Sequence, residues 1–445
     1  MRSLLVLLRR DPDQDPMKMS ERNNPVVDVE RKVEHRRWSL SRLQTFLAAA
    51  CSLVFVFAAA GTPIPIYNIY RAENGITNGD LGLISVGYFV AAAASLLVFG
   101  RLSNHTGRRT VSIVALASAA LSCVLLIEMQ GVVSLLLARL LQGLACGLAS
   151  TALGAYVVDT GPTRPSWLAA AITGSAPMLG IPIGAVASGA LASFGPAPRT
   201  LVYVVAAAVL GCFAVLIALS VETRKPARGA TASLRPRLAA PAGCCRLLFA
   251  TGAGLVAVWS LGGFYQAFGP SIVADYLGTS SPIVTATAFS AVMVLAPLGG
   301  PLAARLSPTA GLRAGLVVFM AALVAIVFAL RLHNIALFLP ATLAVGLAQG
   351  IASTGGLRAL LARARPDETS GLLSTLYLIG YSGAALPALV AGELTRTFDL
   401  FQIAIGYAAL GTGASVIAIL AMRKVSRARD SAGSVELSSP NEARC

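Results

Sequence analysis

Long apolar runs separated by short polar stretches dominate the chain. They lie at 43–66, 81–99, 110–127, 132–158, 166–191 and 200–220. After a charged, proline-containing stretch from Glu222 to Arg246, six more follow at 247–269, 283–303, 314–330, 335–357, 371–391 and 401–422. Each is long enough to cross a bilayer as a helix, which takes roughly 17–25 mostly apolar residues. The pattern predicts an all-α integral membrane protein with twelve transmembrane helices in two six-helix bundles. Its parts are a basic tail over 1–42 expected to lack folded structure, a bundle over 43–221, a linker over 222–246, a second bundle over 247–422 and a tail over 423–445.

Composition agrees with this reading and excludes others. Of the 445 residues 56% are hydrophobic and only 12% charged, against about 25% charged in soluble domains. A soluble fold could not cover its surface with so little charge. Disorder fails on hydrophobicity and a disulfide scaffold on length. The seven cysteines show no CxxC or zinc-like spacing, so neither a metal site nor a cofactor is expected. The run Leu4–Leu8 is too short for a signal peptide, and Met17 and Met19 offer alternative starts.

The net charge of +15 would point to nucleic acid if the basic residues formed a stripe on a soluble domain. They stand between the apolar runs instead. With the N-terminus cytoplasmic, 30 of the 35 Lys and Arg residues fall in inside segments and only Arg71, Arg199, Arg331 and Arg396 in outside loops. That asymmetry places both termini in the cytoplasm of a cell inner (plasma) membrane. Arg31, Lys32, Arg36, Arg37 and Arg42 then face anionic lipid, and Trp38 and Trp167 sit at the cytoplasmic interface. The lipid bilayer is a partner; nucleic acid is not.

The halves echo each other. Arg139-Leu-Leu-Gln142-Gly143 in the fourth helix returns as Gln349-Gly350 in the tenth, and Gly100 to Arg109 after the second helix returns loosely as Gly300 to Arg305 with Gly311 and Arg313 beyond. Twin repeats of this kind mark secondary transporters with a site between the halves. Here the chain resembles the major facilitator superfamily over about residues 43–422. The loop Gly100–Arg109 is similar to that family's signature Gly-x-Leu-x-Asp-Arg-x-Gly-Arg-Arg, with Asn104 for the Asp and His105 for the Arg. Arg139, Gln142 and Gly143 match its Arg-x-x-Gln-Gly pattern. The resemblance implies a gate made of Gly100, Asn104, Gly107 and Arg108, with Arg108 paired to Asp159; without the family's acid at 104, a softer latch is expected. Gly180, Pro182 and Gly184 in the fifth helix are a shifted form of a pattern associated with drug-exporting antiporters. Close packing through small residues competes with that reading, for these and for Gly143 and Gly147.

Candidate chemistry is sparse. Arg139 is the one charge inside a run, and burying it costs about 2.5–3.5 kcal/mol on insertion scales, so it needs a cavity or a partner. Gln142 shares its face. Its planar fork suits a carboxylate or phosphate. Gln349 in the tenth helix, with Tyr265 and Gln266 beside an expected helix irregularity at Gly262-Gly263-Phe264, completes the substrate-binding candidates. Proton coupling by an intramembrane acid has only Asp80 and Glu128 at helix ends to draw on. No catalytic residues are assigned, and no phosphate-binding Gly-x-x-x-x-Gly-Lys loop occurs. The expectation is a monomeric secondary transporter of a small-molecule substrate, exporting it in exchange for protons. Uptake or exchange of an organic anion is the alternative, and a transporter-like sensor the rival of another class. Reporter fusions after Glu73 and after Arg109 should read outside and inside respectively; the reverse would overturn the orientation.

Overall fold

The computed structural model describes residues 40–165, 167–236, 238–240, 244–365 and 368–437. The N-terminal tail through Ser39, with Trp38, lies outside the described residues. Twelve helices are long and apolar enough to span a membrane: α1 (Arg42–Asn74), α2 (Asn78–Phe99), α3 (Arg108–Ile127), α4 (Val132–Thr160), α5 (Leu168–Phe194), α6 (Leu201–Ala218), α7 (Cys245–Tyr276), α8 (Pro282–Ala304), α9 (Pro308–Arg331), α10 (Ile335–Leu361), α11 (Thr369–Leu394) and α12 (Leu400–Arg423). No strand occurs among the described residues. The chain is an all-α, multi-pass integral membrane protein.

Polar residues just outside the apolar runs set the helix starts. Ser41 and Gln44 close a reciprocal capping box on α1, and Thr77 and Asp80 do so on α2, each satisfying amides that the first turn leaves free. Ser307 caps α9 ahead of Pro308, so that helix begins six residues before its apolar run.

One expectation changes. The glycines at 262 and 263 do not interrupt α7, which runs unbroken from Cys245 to Tyr276; Gly263 instead lets the Ala384 carbonyl of α11 come within 2.7 Å of where a methyl would stand. The interruptions fall at proline. In α8 a 3-10 turn at Ala296–Leu298 surrounds Pro297, and in α1 a 3-10 turn at Ile64–Ile66 follows Pro63. Proline has no amide hydrogen and clashes with the preceding turn.

Within each half the helices close on small residues. A methyl at Gly184 would stand 1.8 Å from the Ala58 carbonyl oxygen, so α5 lies directly on the α1 backbone. The repeated Gln-Gly pair has one structural meaning in both halves. Gly143 brings α4 onto the Tyr88 carbonyl of α2, and Gly350 brings α10 onto the Ala296 carbonyl at the α8 break.

Contacts between the halves gather at the end of the bundle away from the 222–244 linker. Gly82 of α2 meets Gly392 of α11, and Gly189 of α5 meets Pro282 and Ala286 of α8. Asn68 Nδ2 donates to the Pro270 carbonyl at 2.8 Å, Ser271 Oγ donates to Asn78 Oδ1 at 2.7 Å, and Arg71 pairs with Asp275 at 3.3 Å. Toward the linker face, Gly174 of α5 has no atom within 4 Å of the place a methyl would take. Gly184→Leu should therefore lower the melting temperature of the purified protein or prevent its recovery, since overpacking costs about 1–3 kcal/mol or more. Gly174→Ala should leave it unchanged or slightly raised. Equal effects would contradict the packing described.

Candidate functional site

The proline break in α1 organises the middle of the first half. The Ala59 carbonyl would normally accept from the amide of residue 63, but Pro63 has none, and it accepts instead from the Thr62 amide at 3.3 Å and the Thr62 hydroxyl at 2.8 Å. Three side chains from neighbouring helices add further hydrogens around the break. Gln142 Nε2 donates to the Ala59 carbonyl at 3.1 Å, Arg139 Nη1 to the Ala60 carbonyl at 2.6 Å, and Ser188 Oγ of α5 to the Thr62 carbonyl at 2.6 Å. Arg139 Nη1 also donates to Gln142 Oε1 at 2.7 Å, which holds the pair as a unit. Arg139 is fully buried, and its guanidinium carbon lies 4.5 Å from the centroid of the Tyr88 ring, a cation–π contact. Its Nε and Nη2 have no hydrogen-bond partner. Arg139 and Gln142 thus act here as a brace, with one edge of the fork unused.

The second half provides a different surface. Tyr265 is buried and hydrogen-bonded to Thr342 of α10 at 2.8 Å. Gln266 and Gln349 are buried without a side-chain hydrogen bond among the described residues. Thr342 and Gly356, seven positions to either side of Gln349, meet Tyr265 and Thr251 of α7. Gln349 therefore faces α7 between those levels. Gly262 has open space where a side chain would project. Trp259 lies against Gly380 and packs edge-on to Tyr381, their centroids 5.0 Å apart.

Residues that pattern reading did not single out join the two regions. Tyr88 packs on Phe89 at 5.4 Å, and Phe89 meets Tyr381 of α11 at 6.3 Å. An aromatic path thus runs from Arg139 through Tyr88, Phe89 and Tyr381 to Trp259, crossing from one half to the other. Phe89 and Trp259 left no usable signal, because an aromatic residue in an apolar run reads as core. Two apolar crevices of about 590 and 620 Å³ lie elsewhere, one between α5, α8 and α10 and one between α2, α3 and α4.

The structure brings Arg108 and Asp159 together, Nε to Oδ2 at 3.1 Å. Arg108 Nη1 also donates to Ser103 Oγ, and Thr223 Oγ1 donates to Asp159. The linker completes this cluster in a way not anticipated. The Glu222 carboxylate accepts from the Arg108 and Arg109 amides at 2.9 and 3.1 Å, a negative charge on the α3 N-terminus. Gly107, at φ 98°, lets that carboxylate approach. Arg101 Nη2 donates to the Ser233 and Arg235 carbonyls, and Thr375 of α11 exchanges hydrogen bonds with Ala239. The linker therefore touches both halves. Gly100 ends α2 and Asn104 is exposed. Asp80 serves the α2 cap, and Glu128 is exposed just past α3.

A sequence model described as "Major Facilitator Superfamily" matches residues 48–386. Proteins called MFS-type transporter EfpA, from two strains of Mycobacterium tuberculosis, are each 29% identical to the chain over 159 residues. That stretch is 35% of this chain and 30% of the length of those relatives.

If Arg139 and Gln142 brace the α1 break, Arg139→Leu should destabilise the protein by about 1–3 kcal/mol, the cost of leaving the buried Ala60 carbonyl unpaired, and Gln142→Leu by less, because the Ala59 carbonyl keeps its Thr62 donors. Arg139→Lys retains a donor for the Ala60 carbonyl and should melt close to the parent. Thermal unfolding in detergent distinguishes these outcomes. Parent-like melting of both leucine variants would remove the brace.

Proposed function

Because the chain belongs to the Major Facilitator Superfamily, we propose that it is a secondary transporter that exports a small organic solute by alternating access. The linker face, on the charge asymmetry of the loops, is cytoplasmic, and the halves close on each other at the opposite end. The observation that carries this reading is the placement of the contacts between halves. Gly82–Gly392, Gly189–Ala286, Asn68–Pro270 and Arg71–Asp275 all seal the opposite end.

That seal suits a gate that opens and closes. Arg71 and Asp275 are 25% and 41% exposed, and a pair so exposed contributes only about 0–1 kcal/mol. The glycine contacts are dispersive and tolerate separation without leaving a polar group unpaired. Arg108–Asp159 is more enclosed and shares its atoms with Ser103, Thr223 and, through the backbone, Glu222. In this reading it keeps the linker end of the first half rigid while the two halves rock. Glu222 supplies the negative charge that Asn104 does not.

The solute site is the gap between the halves at mid-membrane, lined by Trp259, Gly262, Gln266, Gln349 and Tyr381. Aromatic faces and neutral amides suit an amphipathic solute. Coupling to protons draws no support from a carboxylate in mid-span. The acids of the described spans are Glu73, Asp80, Asp159, Asp275 and Glu393, each within a turn of a helix end.

The test is uptake into everted membrane vesicles of a panel of amphipathic dyes and organic acids, with and without an imposed pH gradient. Accumulation of at least one compound above vesicles lacking the protein is expected. Arg108→Ala and Asp159→Ala should each reduce the initial rate about tenfold, and the double variant should be no worse than either. Failure of every compound would sink the transport reading, and additive losses would sink the paired role of Arg108 and Asp159.

A further inference from the structure

The first half contains a buried cation with no buried anion to match it. Arg139 is fully enclosed, while the acids of the described spans all stand at helix ends. Nη1 is committed to the Ala60 carbonyl and Gln142, and Tyr88 covers one face of the guanidinium. What remains is the edge formed by Nε and Nη2, neither of which has a partner. Those two N–H groups point the same way and match the spacing of two oxygens on one carboxylate. A second unpartnered polar group stands on the neighbouring helix. Tyr67 follows directly on the 3-10 turn of α1, seven residues past the Ala60 carbonyl that Arg139 grips, and is fully buried with no partner for its hydroxyl.

We propose that the Nε–Nη2 edge of Arg139, with the Tyr67 hydroxyl, is a receptor for a single small anionic group, either the carboxylate of the transported solute or an inorganic anion such as chloride. The proposal deepens the transporter reading and rests on it for the solute's identity as cargo. Buried donors with a full positive charge and no acceptor are costly to maintain, and an arriving anion removes that cost. A carboxylate there leaves the rest of the molecule to extend along Tyr88, Phe89, Tyr381 and Trp259, so the cargo would be an organic acid with an aromatic or apolar body. Phe89 of α2 rests on Tyr381 of α11, so the path continues from one half into the other.

The probes are sodium benzoate, benzamide as its neutral counterpart, and sodium chloride, each titrated at one ionic strength against thermal unfolding of the full chain in detergent. Benzoate should raise the parent's melting temperature by about 2 °C at tenfold excess over half-saturation, and benzamide should not. Arg139→Lys should raise the half-saturating benzoate concentration by about tenfold or more, because a point charge cannot present the paired donors. Tyr67→Phe, which removes one hydroxyl, should raise it by about 3–10-fold, and it carries the test alone should Arg139→Lys not be recovered folded. Equal shifts with benzoate and benzamide would overturn the proposal, as would parent-like benzoate dependence in Tyr67→Phe. If chloride reproduces the benzoate shift, the anion is inorganic; if it does not, the carboxylate belongs to the cargo. Binding is read without transport, so this result stands apart from the vesicle assay.

Discussion

The structure depends on how a broken helix is satisfied where there is no water. A bilayer offers nothing to a carbonyl that has lost its hydrogen bond, and Pro63 deprives α1 of one amide donor in mid-span. Gln142 and Arg139 of α4 and Ser188 of α5 supply hydrogens to the carbonyls around the break. These bonds fix the rotation of α4 and α5 about α1 and set the level at which they meet. The same requirement explains why a guanidinium is tolerated in an apolar helix. Its charge is shared between a backbone carbonyl, an amide oxygen and the Tyr88 face.

Around that anchor the two halves are built for close approach without polar commitment. Gly184 on Ala58, Gly143 on Tyr88 and Gly350 on Ala296 bring backbone against backbone. Such packing is how membrane helices associate when the lipid is as apolar as their side chains. Between halves the same kind of contact at Gly82–Gly392 and Gly189–Ala286 can part without exposing an unsatisfied group. Most of the polar bonds that do cross lie toward the helix ends, with Ser290 Oγ donating to the Pro182 carbonyl at 3.4 Å as a buried exception. Rigid halves and a replaceable seal are what rocking about a central site requires.

The linker adds to this balance. Glu222 sits on the α3 N-terminus, Arg101 holds the Ser233 and Arg235 carbonyls, and Ala239 is bonded to Thr375. One polar segment thus engages the α2–α3 loop of one half and α11 of the other. These are the two elements whose separation changes if the bundle rocks. Glu222, 118 residues beyond Asn104 in the chain, places a carboxylate on the α3 N-terminus.

Much of this was written in the sequence. The twelve spans follow from hydropathy because a bilayer admits only helices whose backbone bonds close internally, and length then suffices to find them. The pairing of Arg108 with Asp159 was legible through a family motif, and Arg139 through being a lone charge in an apolar run. What only the tertiary structure decided is partnership. That Arg139 grips the Ala60 carbonyl rather than standing open, that Gly263 serves α11 rather than a kink, and that Phe89 and Trp259 form a path across the halves all depend on which helix face meets which. Nearly every residue in a membrane span is apolar. The periodicity that orients a helix in a soluble protein is therefore faint here, and the facing is set by small residues and a few polar bonds whose partners lie far away in the chain.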